Sequence, residues 1–242
     1  MTAGVTHWRI ERYDTLDSTS DVCGLRAAAG EPAGLMVLAG RQTSGRGRAG
    51  RQWNSPEGNF YGSVLLRPNV PAGQGGLYAL LAGLSLIEAL DPALPSPGVI
   101  VLKWPNDVMA GGAKLAGILL DATIENGLIA SLVIGVGVNL AAAPDVPGRA
   151  TTSLASLGGT MTPEDLAPAL CARLDHWLAK LAFDPELLRR AWIARAHPEG
   201  TALTVDGGRR SGIYAGLDKD GALLLREDGR VIALRGGDVS LI

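Results

Sequence analysis

Between Gln42 and Trp53 the chain places three glycines (Gly45, Gly47, Gly50) and three arginines (Arg46, Arg48, Arg51) within seven consecutive residues. Glycine lets backbone N–H groups crowd round an anion, because it tolerates positive φ and carries no side chain. Arginine adds fixed charge and forked donors suited to carboxylate or phosphate. The stretch therefore reads as an anion clamp. A second candidate is Lys103-Trp104-Pro105-Asn106-Asp107, in a chain with only four lysines among its 22 basic residues. A lysine held at a Trp-Pro turn supplies a compact charge for a phosphate oxygen; the bland reading is a surface lysine beside a structural turn. Further on, Gly117 interrupts the apolar run Leu115–Leu120, and Gly135 and Gly137 interrupt Val133–Val138 just before Asn139. Glycines inside a strand cost stability unless a ligand or another backbone needs the room. Tight strand–helix packing is the competing explanation.

Gly45, Gly47 and Gly50 also satisfy G-x-G-x-x-G. A dinucleotide fold requires a helix opening at those glycines and an acid about 20 positions on. Here turn composition follows (Asn54 to Asn59), then another strand, and residues 65–75 contain no Asp or Glu. The dinucleotide reading fails on both counts.

The elements that must position these residues follow from apolar periodicity. Strands are expected at Trp8–Asp14, 35–41, 60–66, Val99–Leu102, Leu115–Leu120 and Leu128–Val138. Asn126-Gly127 is a hairpin turn signal between the last two. Ser18 caps a helix that ends near Gly30. Leu77, Leu80, Leu81 and Leu84 define a helix over 75–90. Thr162-Pro163-Glu164-Asp165 opens another, whose core face carries Leu166, Leu170, Leu174 and Trp177. Asp184-Pro185-Glu186 opens a third. After the linker Ala196–Gly200, short strands broken by Asp/Gly turns suggest a barrel of about five strands. The class is α+β, a mixed and mostly antiparallel sheet flanked by helices.

Composition sets outer limits. With 242 residues and 47% apolar content the chain can bury a real core. A net charge of −2 gives no general reason to bind nucleic acid. Cys23 and Cys171 have no metal-ligand spacing and fit buried thiols in a reducing compartment. His7, His176 and His197 form no cluster. The first seven residues carry no apolar leader, and no apolar run reaches membrane-span length, so a cytoplasmic protein is expected.

Five stretches taken in order, Asp17-Ser18-Thr19-Ser20, Gln42 with Gly45-Arg46-Gly47-Arg48-Ala49-Gly50, Lys103–Asp107, Lys114–Leu119 and Gly135–Asn139, resemble the biotin protein ligases from about residue 14 to 157. The resemblance implies a catalytic domain over 1–197, of a fold shared with lipoate ligases, and an SH3-like domain over 198–242. It implies ATP, biotin and Mg²⁺ as cofactors and substrates, biotinyl-5′-AMP as intermediate, and the carrier domain of a carboxylase as the partner whose lysine is biotinylated. It places Ser18, Thr19, Ser20, Gln42 and Gly117 round biotin. Arg46, Gly47 and Arg48 would wrap its carboxylate and the phosphate, and Lys103 would bridge the two. Trp53 and Asn139 would lie against the nucleotide. Lys103 and Arg48 are the expected catalytic residues, and no residue is expected as a dedicated metal ligand. Asp107 either supports Lys103 or accepts a proton. The helix-turn-helix of ligases that also repress transcription is not expected, nor is any contact with DNA or membrane. A lipoate-type ligase and an RNA-binding module using the Arg/Gly loop are the rival readings.

Overall fold

The structure, a computed structural model, describes residues 7–96 and 98–242. The absence of an apolar leader concerns mainly residues 1–6, which lie outside that range. Seven strands form the main sheet: β1 (Arg9–Leu16), β2 (Leu35–Gln42), β3 (Phe60–Leu66), β4 (Ile100–Lys103), β5 (Asp107–Ala110), β6 (Ala113–Glu125) and β7 (Leu128–Val138). Their order is β1-β2-β3-β7-β6-β5-β4. Only β1 and β2 pair in parallel; every other neighbour is antiparallel, as expected. Asn126 (φ 51) and Gly127 (φ 78) turn β6 into β7. Two successive positive φ values match the right-handed twist of the strands they join.

The sheet buries both faces, and alternate residues show how. On one face Met36, Leu38, Val64, Leu132 and Ile134 pack against helices. These are α2 (Gly75–Leu90), α3 (Pro163–Phe183) and α4 (Pro185–Ile193). α2 is the central one, with 12 of its 16 residues buried. On the other face Leu35, Val37, Leu65 and Val133 close over Cys23 of α1 (Thr19–Ala28). The Ser18 Oγ accepts the Asp21 N–H at 3.3 Å and starts that helix. Trp177 is core, its Nε1 donating to Glu88 Oε2 at 3.1 Å. Both thiols are free and buried.

Two expectations are corrected. Residues 107–110 form a strand, which sequence pattern missed because four residues hold too little alternation to register. Ala72–Ala93 does reach membrane-span length and apolarity, yet 67% of its apolar 18-residue window is buried inside the protein. It is apolar all round because protein surrounds it.

Residues beyond 200 form a five-stranded antiparallel sheet: β8 (Ala202–Val205), β9 (Arg210–Leu217), β10 (Leu223–Glu227), β11 (Arg230–Leu234) and β12 (Val239–Leu241). The order is β11-β10-β9-β8-β12, and its end strands are not paired to each other among the described residues. It is a curled, open version of the small barrel. Trp104 joins the two sheets, its buried Nε1 donating to the Gly221 carbonyl at 3.0 Å.

Candidate active site

Helix α1 covers only part of its face of the sheet. Beyond its N-terminus the strands turn glycine-rich: Gly117 of β6 stands opposite Gly137 of β7, and Gly135 stands opposite Ser63 of β3. Directly opposed residues share a face. These positions therefore leave a floor without side chains, and a cavity of about 340 Å³ lies above it.

At one end of the cavity is a hydroxyl cluster. Thr19 Oγ1 and Ser20 Oγ lie 2.7 and 3.0 Å from Ser63 Oγ. Gln42 Oε1 accepts from the Thr19 N–H at 2.9 Å and its hydroxyl at 3.1 Å, while Gln42 Nε2 donates to Ser55 at 3.2 Å. A β-carbon on Gly135 would stand 2.6 Å from Ser20 Oγ. That glycine is therefore required by the cluster itself.

The Arg/Gly loop forms the rim. Arg46 bridges to Gln52, and Gly47 N–H donates to the Arg51 carbonyl at 2.7 Å, with Ala49 (φ 56) and Gly50 (φ 71) in the left-handed region at the tip. The loop is a small flap with no helix after it, so the failed dinucleotide pattern has a structural reason. Arg46 reaches Asp21 and Asp121. Arg48 donates to Asn106 Oδ1 at 2.9 Å and to the Gly237 carbonyl at 3.2 Å. The Trp53 indole lies on the glycine floor: a β-carbon on Gly137 would approach it to 2.5 Å and one on Gly117 to 2.9 Å. Lys114 Nζ stands 5.5 Å from the indole centroid.

The opposite wall is cationic. Burial holds the Lys103 ammonium below its ordinary pKa, partly offset by the charges of Asp107 and Asp238. Asp107 itself is taken by Lys114 at 2.6 Å, which leaves Lys103 without an ion-pair partner among the described residues. Asn139 is buried; its Nδ2 donates to the Thr152 carbonyl at 3.0 Å, and its Oδ1 has no partner. Arg149 and Arg51 both donate to Asp238 Oδ2 at 2.9 Å. Burial raises the Asp238 carboxyl, but the Arg51 bond and the charges of Arg51, Arg149 and Lys103 outweigh it and hold the pKa below normal.

The fold gathers Thr19, Ser20, Gln42, Arg46, Gly47 and Arg48 at this cavity, together with Trp53, Lys103, Gly117 and Asn139. Ser18 is not on its wall; its hydroxyl is spent on the helix cap. Sequence reasoning did not assign roles to Ser63, Lys114, Arg149 and Asp238. Ser63 had a signal, being a polar residue in the buried strand Phe60–Leu66, and so did Lys114, a scarce lysine seven positions past Asp107. Arg149 and Asp238 had none, because only the fold brings them together.

A cavity with an Arg/Gly rim, a half-buried lysine and a glycine floor fits an acyl-adenylating ligase. Residues 15–139 match the biotin/lipoate A/B protein ligase family, and the chain belongs to that family. It is 38% identical over 214 residues to a biotin–[acetyl-CoA-carboxylase] ligase of Paracoccus denitrificans, covering 84% of this chain and 88% of that one. It is 32% identical to the enzyme of the same name from Mycobacterium tuberculosis, over 93% and 85% of the two chains. Among solved structures, biotin protein ligase of Aquifex aeolicus in complex with biotin and ATP superposes with a TM-score of 0.79 at 26% identity, covering 97% of this chain and 98% of that one. The Leishmania major enzyme in complex with biotinyl-5-AMP gives 0.67 at 26% identity, over 94% and 99%.

Proposed function

We propose that the protein is an ATP-dependent biotin protein ligase, which forms biotinyl-5′-AMP and passes the biotinyl group to a lysine on a carboxylase's carrier domain. The observation that carries this reading is that one cavity holds both kinds of group. It has a hydroxyl and amide cluster at one end, a ring of Lys103, Arg48, Arg51 and Arg149 at the other, and a glycine floor between them. The polar end suits the ureido ring, with Thr19, Ser20 and Gln42 on the wall offering both donors and acceptors and the buried Ser63 hydroxyl holding Thr19 and Ser20 from behind. The cationic end suits the carboxylate and the phosphates.

In the first step a carboxylate oxygen of biotin attacks the α-phosphorus and pyrophosphate leaves. In the second the acceptor amine attacks the acyl carbon, AMP leaves, and the amine gives up its proton. The protein supplies no nucleophile in either step. Its work is to hold two anions together and to stabilise the charge that develops. On this reading Lys103, which lacks an ion-pair partner among the described residues, would bridge carboxylate and α-phosphate, and Arg48 would close over both. Asn139 Oδ1, buried and unpaired, offers an acceptor to the nucleotide. Asp107 is tied to Lys114, so its effect on Lys103 is through charge. A magnesium ion fits as a passenger on the nucleotide: no group of three or more acids, histidines or cysteines occurs among the described residues, and both cavity carboxylates are already paired. Bound there, it would neutralise phosphate charge.

The same reading includes a catalytic unit over 1–197 and an SH3-like unit over 198–242, a cytoplasmic location, and no contact with DNA or membrane. The boundary is supported by a five-stranded sheet that begins at Ala202. A sequence pI of about 5.9 disfavours the RNA-binding alternative. The deciding experiment mixes protein, ATP and Mg²⁺ with biotin or with lipoate and follows pyrophosphate release and the mass of the acyl-adenylate. Release with biotin alone is expected; release with lipoate alone, or with neither, removes the proposal.

A further inference from the structure

The cavity wall contains one residue from the C-terminal sheet that touches the rim flap and the opposite loop together. Asp238 Oδ2 accepts from Arg51 of the flap and from Arg149 of the loop after β7, at 2.9 Å each. The adjoining Gly237 carbonyl accepts from Arg48. Three arginines from two segments therefore converge on one two-residue corner. The corner is itself built: Asp206 N–H donates to the Asp238 carbonyl at 2.9 Å and Asp238 N–H donates to Asp206 Oδ1 at 2.9 Å. Gly237 (φ 138) has no room for a side chain, since a β-carbon there would meet Val205 at 2.8 Å. An arginine has five N–H donors, and Asp238 takes only one from each. Arg51 gives another to the Arg48 carbonyl. Both guanidinium groups thus keep donors over for an incoming anion.

We propose that Asp238 is a positioning residue for nucleotide binding, the carboxylate that orients Arg51 and Arg149 on the cavity rim and keeps the flap docked against the small sheet. This rests on the reading of the cavity as a nucleotide site. The chemistry parallels a carboxylate that orients a metal-bound histidine: it touches no substrate and fixes the groups that do. It also makes the C-terminal unit part of the site, through a turn, Gly236-Gly237-Asp238, that the sequence marks only as a break between strands.

The test compares wild type, Asp238→Asn and Asp238→Glu in steady-state adenylation. Removing a negative charge from an anion site should by itself tighten phosphate binding. Loss of orientation should weaken it. The proposal expects KM for ATP to rise about fivefold in Asp238→Asn, the size set by two half-exposed ion pairs, with kcat moving less. Asp238→Glu should recover at least half of the loss. An unchanged or lower KM in Asp238→Asn overturns it, as does a Glu variant no better than Asn. Calorimetric binding of inorganic tripolyphosphate provides an arm independent of adenylation, and the same rank order is expected there. If no variant makes adenylate but tripolyphosphate follows that order, the ligase reading fails and Asp238 keeps its role; if adenylation is normal and both orders are flat, only this inference fails.

Discussion

In the proposed reaction Lys103 is the residue that would bridge carboxylate and phosphate, and its environment dictates a pH dependence for that role. Burial lowers its pKa, so the ammonium is charged below that lowered value and lost as pH rises through it. Adenylation should therefore fall on the alkaline side before the ordinary lysine value of 10.5 is reached. Lys103→Ala should cut adenylate formation by roughly a hundredfold or more, the scale of removing one electrostatic stabiliser, while circular dichroism stays native. Normal pyrophosphate release from the variant would remove Lys103 from the mechanism. Gly137 carries a different prediction. Alanine there would put a β-carbon 2.5 Å from the Trp53 indole. We expect Gly137→Ala to cost about 1–3 kcal/mol by overpacking, read from the urea midpoint, and pairing it with Trp53→Ala should restore most of the loss. The sequence exposed Gly137 as an anomaly but not its cause, because the side chain that needs the space lies 84 residues away.

At the scale of elements, local signals were legible wherever local physics decides. The Ser18 cap, the Asn126-Gly127 turn and the Thr162-Pro163 helix start all formed as read, since each is satisfied within a few residues. β1 begins and ends one or two residues off because its edge position sets its length, and β5 was missed. The Arg/Gly flap was legible as a glycine-rich loop between two strands, as its turn at Ala49 and Gly50 shows. Its docking was not: Arg48 is held by Asn106 of the turn after β4 and by Gly237 of the small sheet, contacts fixed only by tertiary structure. Those two bonds share the docking of the flap with the Arg46 and Arg51 ion pairs. Arg48→Ala should therefore release biotinyl-AMP into solution about tenfold faster, the loss of roughly one charged hydrogen bond, detected by chromatography of a single-turnover mixture. A leak rate equal to wild type would show that the flap is not a lid.

The two sheets meet behind Lys103, and that junction carries a prediction about acid stability. Leu102 of β4 donates to the Arg195 carbonyl at 2.7 Å and bridges Ala196 in parallel, which sets His197 beside Lys103. His197 and Tyr214 both border a small apolar cavity between the sheets, and His197 Nε2 and the Tyr214 hydroxyl are buried without partners. Burial first, and then the Lys103 charge, hold the His197 pKa below the ordinary 6.5. The folded state thus resists a proton that the unfolded chain accepts. The unfolded chain binds more protons in the window below 6.5, so stability must rise with pH across it. What His197 contributes as a neutral group is fully present above 6.5 and lost as pH falls from there towards its lowered folded value. A His197→Gln variant keeps a polar group of similar reach that does not titrate. We expect its unfolding midpoint to vary less than wild type's between pH 5 and about 7, with the two curves converging at the neutral end. A wild-type curve that is flat over that window, or a variant with the same slope, would show that the junction does not sense the histidine's charge.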